Sequence, residues 1–142
     1  MTGLLANESY LDYAGGEWVS DGDIVDVAFL VLAKKLGLSL SRVREEWEQV
    51  DLIPYESERA FSGSLNRNGD RPVLHVKGSP EKLLSTAATG CRLRPDAHVP
   101  IDRESIEATG SKSLAGQGYR VIALAQRTRG DATKRHGAAR LD

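Results

Sequence analysis

Two alternating runs flank Asn68-Gly69, and they constrain the fold more than any other stretch of this 142-residue chain. From Ala60 to Asn66, Phe61, Gly63 and Leu65 fall on one face, with Ala60, Ser62 and Ser64 on the other. From Val73 to Val76, Val73 and His75 oppose Leu74 and Val76. Both runs have the two-residue period of a strand, and Asn-Gly is the dipeptide a tight hairpin turn favours. The spacing therefore predicts an antiparallel hairpin whose second strand runs from Pro72 to Lys77. That strand ends on Gly78-Ser79-Pro80. Gly78 permits a turn a Cβ would obstruct, Ser79 can cap a helix, and Pro80 suits its first position. A helix is expected to about Thr89, with Leu83, Leu84, Ala87 and Ala88 inward and Gly90 as its stop. Lys77 thus lies beside a glycine turn and a helix N-terminus, where charge and free N–H groups suit an anion. The same residues also make a plain strand-turn-helix with a solvated lysine.

The rest of the chain reads as short elements. A helix is expected within Leu4 to Tyr13, broken by Gly15-Gly16, with a short strand at Trp18-Val19. Asp23 can cap a helix running to about Leu36, with Gly37 as its stop and Lys34 and Lys35 in its last turn. That helix is apolar nearly all round, which predicts deep packing. Ser39 or Ser41 caps a second helix through Trp47. Asp51 to Tyr55 reads as a strand, placed at an edge or bulge by Pro54. Cys91 to Leu93 reads as a short strand and Arg94 to Pro100 as a loop holding a solvated His98. Asp102 can cap a helix to about Gln117, with Ile106 and Leu114 inward and weakened by Gly110 and Gly116. Gly118 turns the chain into a strand from Tyr119 to Ala125. From Thr128 onward the chain is polar and basic, the pattern of a tail or linker.

Composition removes several function classes. With 40% hydrophobic and 27% charged residues the chain suits one domain with a real core. A net charge of -1 gives no general attraction to nucleic acid or membranes. Cys91 is the only cysteine, which excludes an internal disulfide and reads as a buried thiol in a reducing compartment. Three scattered histidines offer little for a metal site. The longest apolar run, Val27 to Ala33, is too short to span a bilayer, and the N-terminus lacks a signal-peptide pattern.

Four segments, in order, resemble motifs of the P-type ATPases, cation pumps that work through a phosphoaspartate. His75-Val76-Lys77-Gly78-Ser79-Pro80-Glu81 resembles the KGAPE motif of their cytoplasmic nucleotide-binding domain, with Ser79 for alanine. Gly22-Asp23-Ile24-Val25-Asp26-Val27-Ala28 resembles GDPTE-x-A. Pro54-Tyr55-Glu56-Ser57-Glu58-Arg59 resembles P-F-x-S-x-R, followed here by Ala60 where the family has Lys or Arg. Gly118-Tyr119-Arg120-Val121-Ile122-Ala123-Leu124-Ala125 resembles G-x-R-V-L-A-L-A. The likeness is to the calcium-pump-like branch and covers roughly Leu4 to Arg127. It implies an α+β fold: a twisted antiparallel sheet of about six strands with flanking helices. Of these strands, the residues themselves support the hairpin directly.

The resemblance also implies a nucleotide-binding set: Asp26, Tyr55, Arg59, Lys77, Gly78 and Arg120. Tyr55 takes the place of the adenine-stacking ring, and Asp26 lies near the adenine, where a carboxylate can accept from its amino group. Lys77, Arg59 and Arg120 would face phosphates. Each has an ordinary structural reading. Asp26 is also an acid in a helix's first turn, Tyr55 a half-buried strand residue, and Arg59 a surface partner for Glu56 or Glu58. Arg120 could form an ion pair at a strand mouth.

No DKTGT segment, TGES loop or set of Mg²⁺-binding aspartates occurs, so no catalytic residue is assigned. The expected function is an ATP-binding piece of a cation pump (Mg-ATP in the parent), residues 1–127, with 128–142 as tail or linker. It would lie on the cytoplasmic side of a membrane without inserting, and act with phosphorylation and actuator domains to present ATP to an aspartate elsewhere. Hydrolysis by this chain alone is not expected. The competing reading is an interaction module of the same fold that has lost nucleotide binding, favoured by Ala60 and the short Asp26. A free-standing nucleotide hydrolase is a third, weaker reading.

Overall fold

The computed structural model describes residues 1–86, 91–94, 97–99 and 101–128. The hairpin forms as its pattern requires. β4 (Phe61–Asn68) pairs antiparallel with β5 (Arg71–Gly78), and Asn68 faces Arg71 across a two-residue turn. Gly69 has φ 56°, the left-handed conformation that its missing Cβ allows. β3 (Glu48–Glu56) adds on one side and β8 (Ala123–Thr128) on the other, giving the order β3-β4-β5-β8. The pairing shifts register between Ile53 and Glu56 on edge strand β3, the bulge that Pro54 predicts. Two further antiparallel pairs stand apart: β1 (Tyr10–Ala14) with β2 (Glu17–Asp21), and β6 (Cys91–Arg94) with β7 (Ala97–Val99). The class is α+β, as expected, with the strands divided among three sheets.

The helices are α1 (Thr2–Leu5), α2 (Ile24–Lys35), α3 (Leu40–Glu46), α4 (Pro80–Thr86), α5 (Arg103–Ser105) and α6 (Ser113–Gly116). A π-helical segment, Ile106–Lys112, joins α5 to α6 around Gly110. The predicted caps form. Asp23 accepts from Val25 N–H at 2.8 Å, Ser39 from Arg42 N–H at 3.4 Å and Asp102 from Ser105 N–H at 3.0 Å. Ser79 accepts from Lys82 N–H at 3.2 Å. The core gathers Leu4, Leu5, Leu11, Leu30, Ala33 and Val43, with Leu38, Leu40 and Trp47 packed against it.

Five expectations are corrected. The first helix stops at Leu5 and Tyr10 to Tyr13 form β1, because the Asn7 amide bonds back to Gly3 O and draws the backbone out of the helix. α2 is not buried all round: only Asp26, Leu30 and Ala33 are buried, and Ile24 is 81% exposed. The rest of the described fold meets this helix along that one stripe. The last strand begins at Ala123, not Tyr119. Gly118 at φ 85° and the Tyr119 N–H bond to Leu114 O (3.1 Å) keep the chain at the helix end until it can pair with β5. Leu114 is exposed rather than inward. The segment Arg94 to Pro100 contains β7 instead of being all loop. The expectations for Ala87 to Gly90, the side chains of Cys91 and His98, and the tail from residue 129 lie outside the described residues.

Which hairpin face turns inward is a further finding. Ser62, Ser64, Asn66, Val73, His75 and Lys77 are buried, while Phe61, Leu65, Leu74 and Val76 are half-buried. The inward, largely polar face meets Thr2, whose Oγ1 lies 3.1 Å from His75 Nδ1, and Trp47, whose ring stands edge-on to His75.

Candidate functional site

One end of the four-stranded sheet collects most of the predicted site. Glu56 faces Phe61, Phe61 faces Gly78, and Gly78 faces Ala123, one row across all four strands. Tyr55 and Arg59 sit in or beside the β3–β4 turn, Lys77 and Gly78 close β5, and Arg120 lies three residues before the β8 member of the row. The two motif turns are tied directly. Ala60 N–H donates to Glu56 O at 2.8 Å, and Ser79 N–H donates to Ala60 O at 3.0 Å. Ala60 closes that turn with φ 57°, a left-handed conformation that costs an L-residue roughly 1–2 kcal/mol. It is therefore not part of a strand, so the alternation expected from Ala60 onward begins at Phe61.

Tyr55 is 54% exposed, so its ring is available to a flat ligand rather than packed in a core. Arg59 pairs with Glu56 at 2.7 Å and lies over the Phe61 ring at 5.8 Å. Arg120 is exposed. Gly78 serves packing, not a turn. It has no positive φ, and a Cβ there would come within 2.5 Å of Ala60 O and Phe61 Cβ. Any larger residue would push β5 away from the turn that carries Arg59.

Asp26 and Lys77 come together from elements 51 residues apart and form a buried ion pair. Asp26 is 6% exposed and Lys77 9%. The Asp26 carboxylate also accepts from Glu8 N–H at 3.2 Å. Two charges this buried hold each other more firmly than a surface pair would, so the Lys77 charge is already offset.

The sequence reading missed Asn7, which is buried and bonds to Gly3 O, Asp26 O and Ser9 N–H. The signal was available: an Asn after Leu4-Leu5-Ala6 with Ser9 two residues on has the spacing of an Asx turn. Two hollows lie away from the sheet end. One is lined by Tyr10, Asp12, Lys34, Ser39, Ser41 and Arg44, and the other runs along the exposed face of α2. Among the described residues no cluster of His, Cys, Asp or Glu could hold a metal ion, and no helix is long and apolar enough to cross a membrane.

An α+β domain with several motif turns at one end of a sheet is a broad class, and the order of those turns narrows it. The family model for the P-type ATPase cytoplasmic domain N matches residues 1–139, and the chain belongs to that family. It is 36% identical over 128 residues to the cation-transporting ATPase pma1 of Synechocystis, covering 90% of this chain and 14% of the relative. It is 32% identical over 124 residues to the probable cation-transporting ATPase F of Mycobacterium tuberculosis, covering 87% of this chain and 13% of the relative. It is 30% identical over 129 residues to the calcium-transporting ATPase of Bacillus subtilis, covering 88% of this chain and 14% of the relative. The chain therefore spans about one seventh of the length of these curated relatives.

Proposed function

We propose that this chain binds ATP at the sheet end and presents it to an acceptor aspartate in a separate domain of a cation-transporting P-type ATPase. The supporting observation is the row Glu56–Phe61–Gly78–Ala123, which gathers Tyr55, Arg59, Lys77, Gly78 and Arg120 at one end. Tyr55 stacks on the base. Asp26, buried and held by Glu8 N–H and Lys77, acts on the adenine side of the site by holding Lys77 there. Because Asp26 offsets Lys77 and Glu56 offsets Arg59, Arg120 carries most of the attraction to phosphate, with Arg59 contributing where it exchanges Glu56 for the nucleotide. The binding unit runs to Thr128, which as the last residue of β8 still pairs with Val73, one residue past the expected boundary, and a tail or linker follows it. In the parent pump it faces the cytoplasm and works against phosphorylation and actuator domains, with magnesium arriving alongside the nucleotide.

The same charge pairing favours a second reading, an interaction module without nucleotide affinity. With Lys77 tied to Asp26 and Arg59 to Glu56, two of the three predicted cations already have partners. The expected ATP affinity is accordingly weak, on the order of 0.1–10 mM. Tyr55→Ala separates the readings. Stacking is worth about 1–3 kcal/mol per base, so the variant should bind ATP and adenosine equally poorly, by isothermal or NMR titration. Because Tyr55 is exposed, circular dichroism should be unchanged. A folded Tyr55→Ala with wild-type affinity for both ligands removes the stacking role.

A further inference from the structure

We propose that Asn7 is a positioning residue for the nucleotide site, setting the Asp26 carboxylate and through it the Lys77 ammonium; the inference rests on the ATP-binding reading above. Asn7 is 9% exposed and uses its amide fully. Its Nδ2 donates to Gly3 O at 3.0 Å and to Asp26 O at 2.9 Å, and its Oδ1 accepts from Ser9 N–H at 2.9 Å. The next backbone N–H, of Glu8, reaches Asp26 Oδ2 at 3.2 Å. The following residue, Ser9, donates from Oγ to Asp23 O at 3.4 Å. Ser9 also packs against Gly22, where φ is +107° and a Cβ would lie 3.0 Å from Ser9 Cα.

Asn7, Glu8 and Ser9 thus form a bracket that grips Gly22 to Asp26 at both ends. The bracket divides the Asp26 carboxylate: Oδ2 accepts from Glu8 N–H and Oδ1 pairs with Lys77. A carboxylate held at both oxygens has one orientation. Released from Glu8, it could rotate, and the four-carbon lysine stem would lose its fixed partner. Asparagine suits the position because one planar group supplies two donors and an acceptor. Serine is shorter and aspartate lacks the donors.

The test uses the whole 142-residue chain, with ¹⁵N-lysine spectra of the ammonium groups and titrations with ATP and adenosine. In the wild type the buried, paired Lys77 ammonium should exchange its protons slowly and give its own signal. In a folded Asn7→Ser variant that signal should move or vanish. ATP and adenosine should both bind about 3- to 10-fold more weakly, the loss of about one net hydrogen bond. An unchanged Lys77 signal, or unchanged ATP affinity, in the folded variant overturns the positioning role. If Asn7→Ser does not fold, wild-type amide exchange decides. ATP should slow exchange at the Glu8 and Ser9 amides, and no change there with ATP bound overturns the proposal. A wild-type chain that takes no ATP defeats the nucleotide reading itself, and the positioning role with it. Binding by the wild type with an indifferent variant defeats the positioning role alone.

Discussion

At 1% exposure, His75 has little room for a second proton. Burial holds its pKa down at about 4, with a smaller push from the charged N-terminus. The unfolded chain regains the ordinary value near 6.5 and so binds the proton first. Stability is therefore full above about pH 6.5 and falls as pH drops toward about 4. The His75 share of the loss between pH 7 and pH 5 should be about 2 kcal/mol. Urea unfolding of wild type and His75→Gln at both pH values checks it: the variant should lose less on acidification. At Asp26–Lys77 the expectation is different in kind. Asp26→Leu alone leaves a buried ammonium without its partner and should cost about 3–5 kcal/mol. The double variant Asp26→Leu, Lys77→Met should recover much of that in the same assay. An equal loss in both variants would mean the pair contributes nothing specific. At this scale the sequence was a partial guide. Asp26 and Lys77 were both legible as candidate site residues through their motifs. That they bind each other was not, because 51 residues separate them and only the tertiary fold, with α1 in contact with both α2 and β5, brings them together. Ala60 was misjudged as a strand residue because alternation says nothing about a single left-handed φ.

Helix α2 shows what pattern can and cannot say about an element. Its start at Asp23, its last-turn lysines and its end before Gly37 were all readable, since caps are local chemistry. Its burial was not. A run apolar on every side carries no periodicity, so nothing in it points to the stripe Asp26–Leu30–Ala33. The contrast yields a prediction. Leu30→Ala at 0% exposure should cost about 2–5 kcal/mol, whereas Ile24→Glu at 81% exposure should stay within about 0.5 kcal/mol. Thermal unfolding of both variants checks it, and a large loss at Ile24 would mean that residue is covered. The hairpin shows the same division. Turn, register and alternation follow from Asn68-Gly69 and the two-residue period. The inward face does not, because serines and a histidine would ordinarily be assigned to solvent. Here α1 and Trp47 close over them instead.

For the whole molecule, the α+β class and the order of the motif turns were legible because each motif sits at an element boundary with its own local signal. The partition into a four-stranded sheet and two separate pairs depends on long-range packing and was not. The central claim is that four strand ends assemble one ATP site. The most direct measurement is a ¹H-¹⁵N titration of the chain with ATP, following every amide. Shifts should saturate together at Tyr55 to Arg59, Lys77 to Ser79 and Arg120 to Ala123, with smaller ones at Asp26. Shifts confined to the hollow between Tyr10 and Arg44, or none up to the solubility limit of ATP, would contradict it.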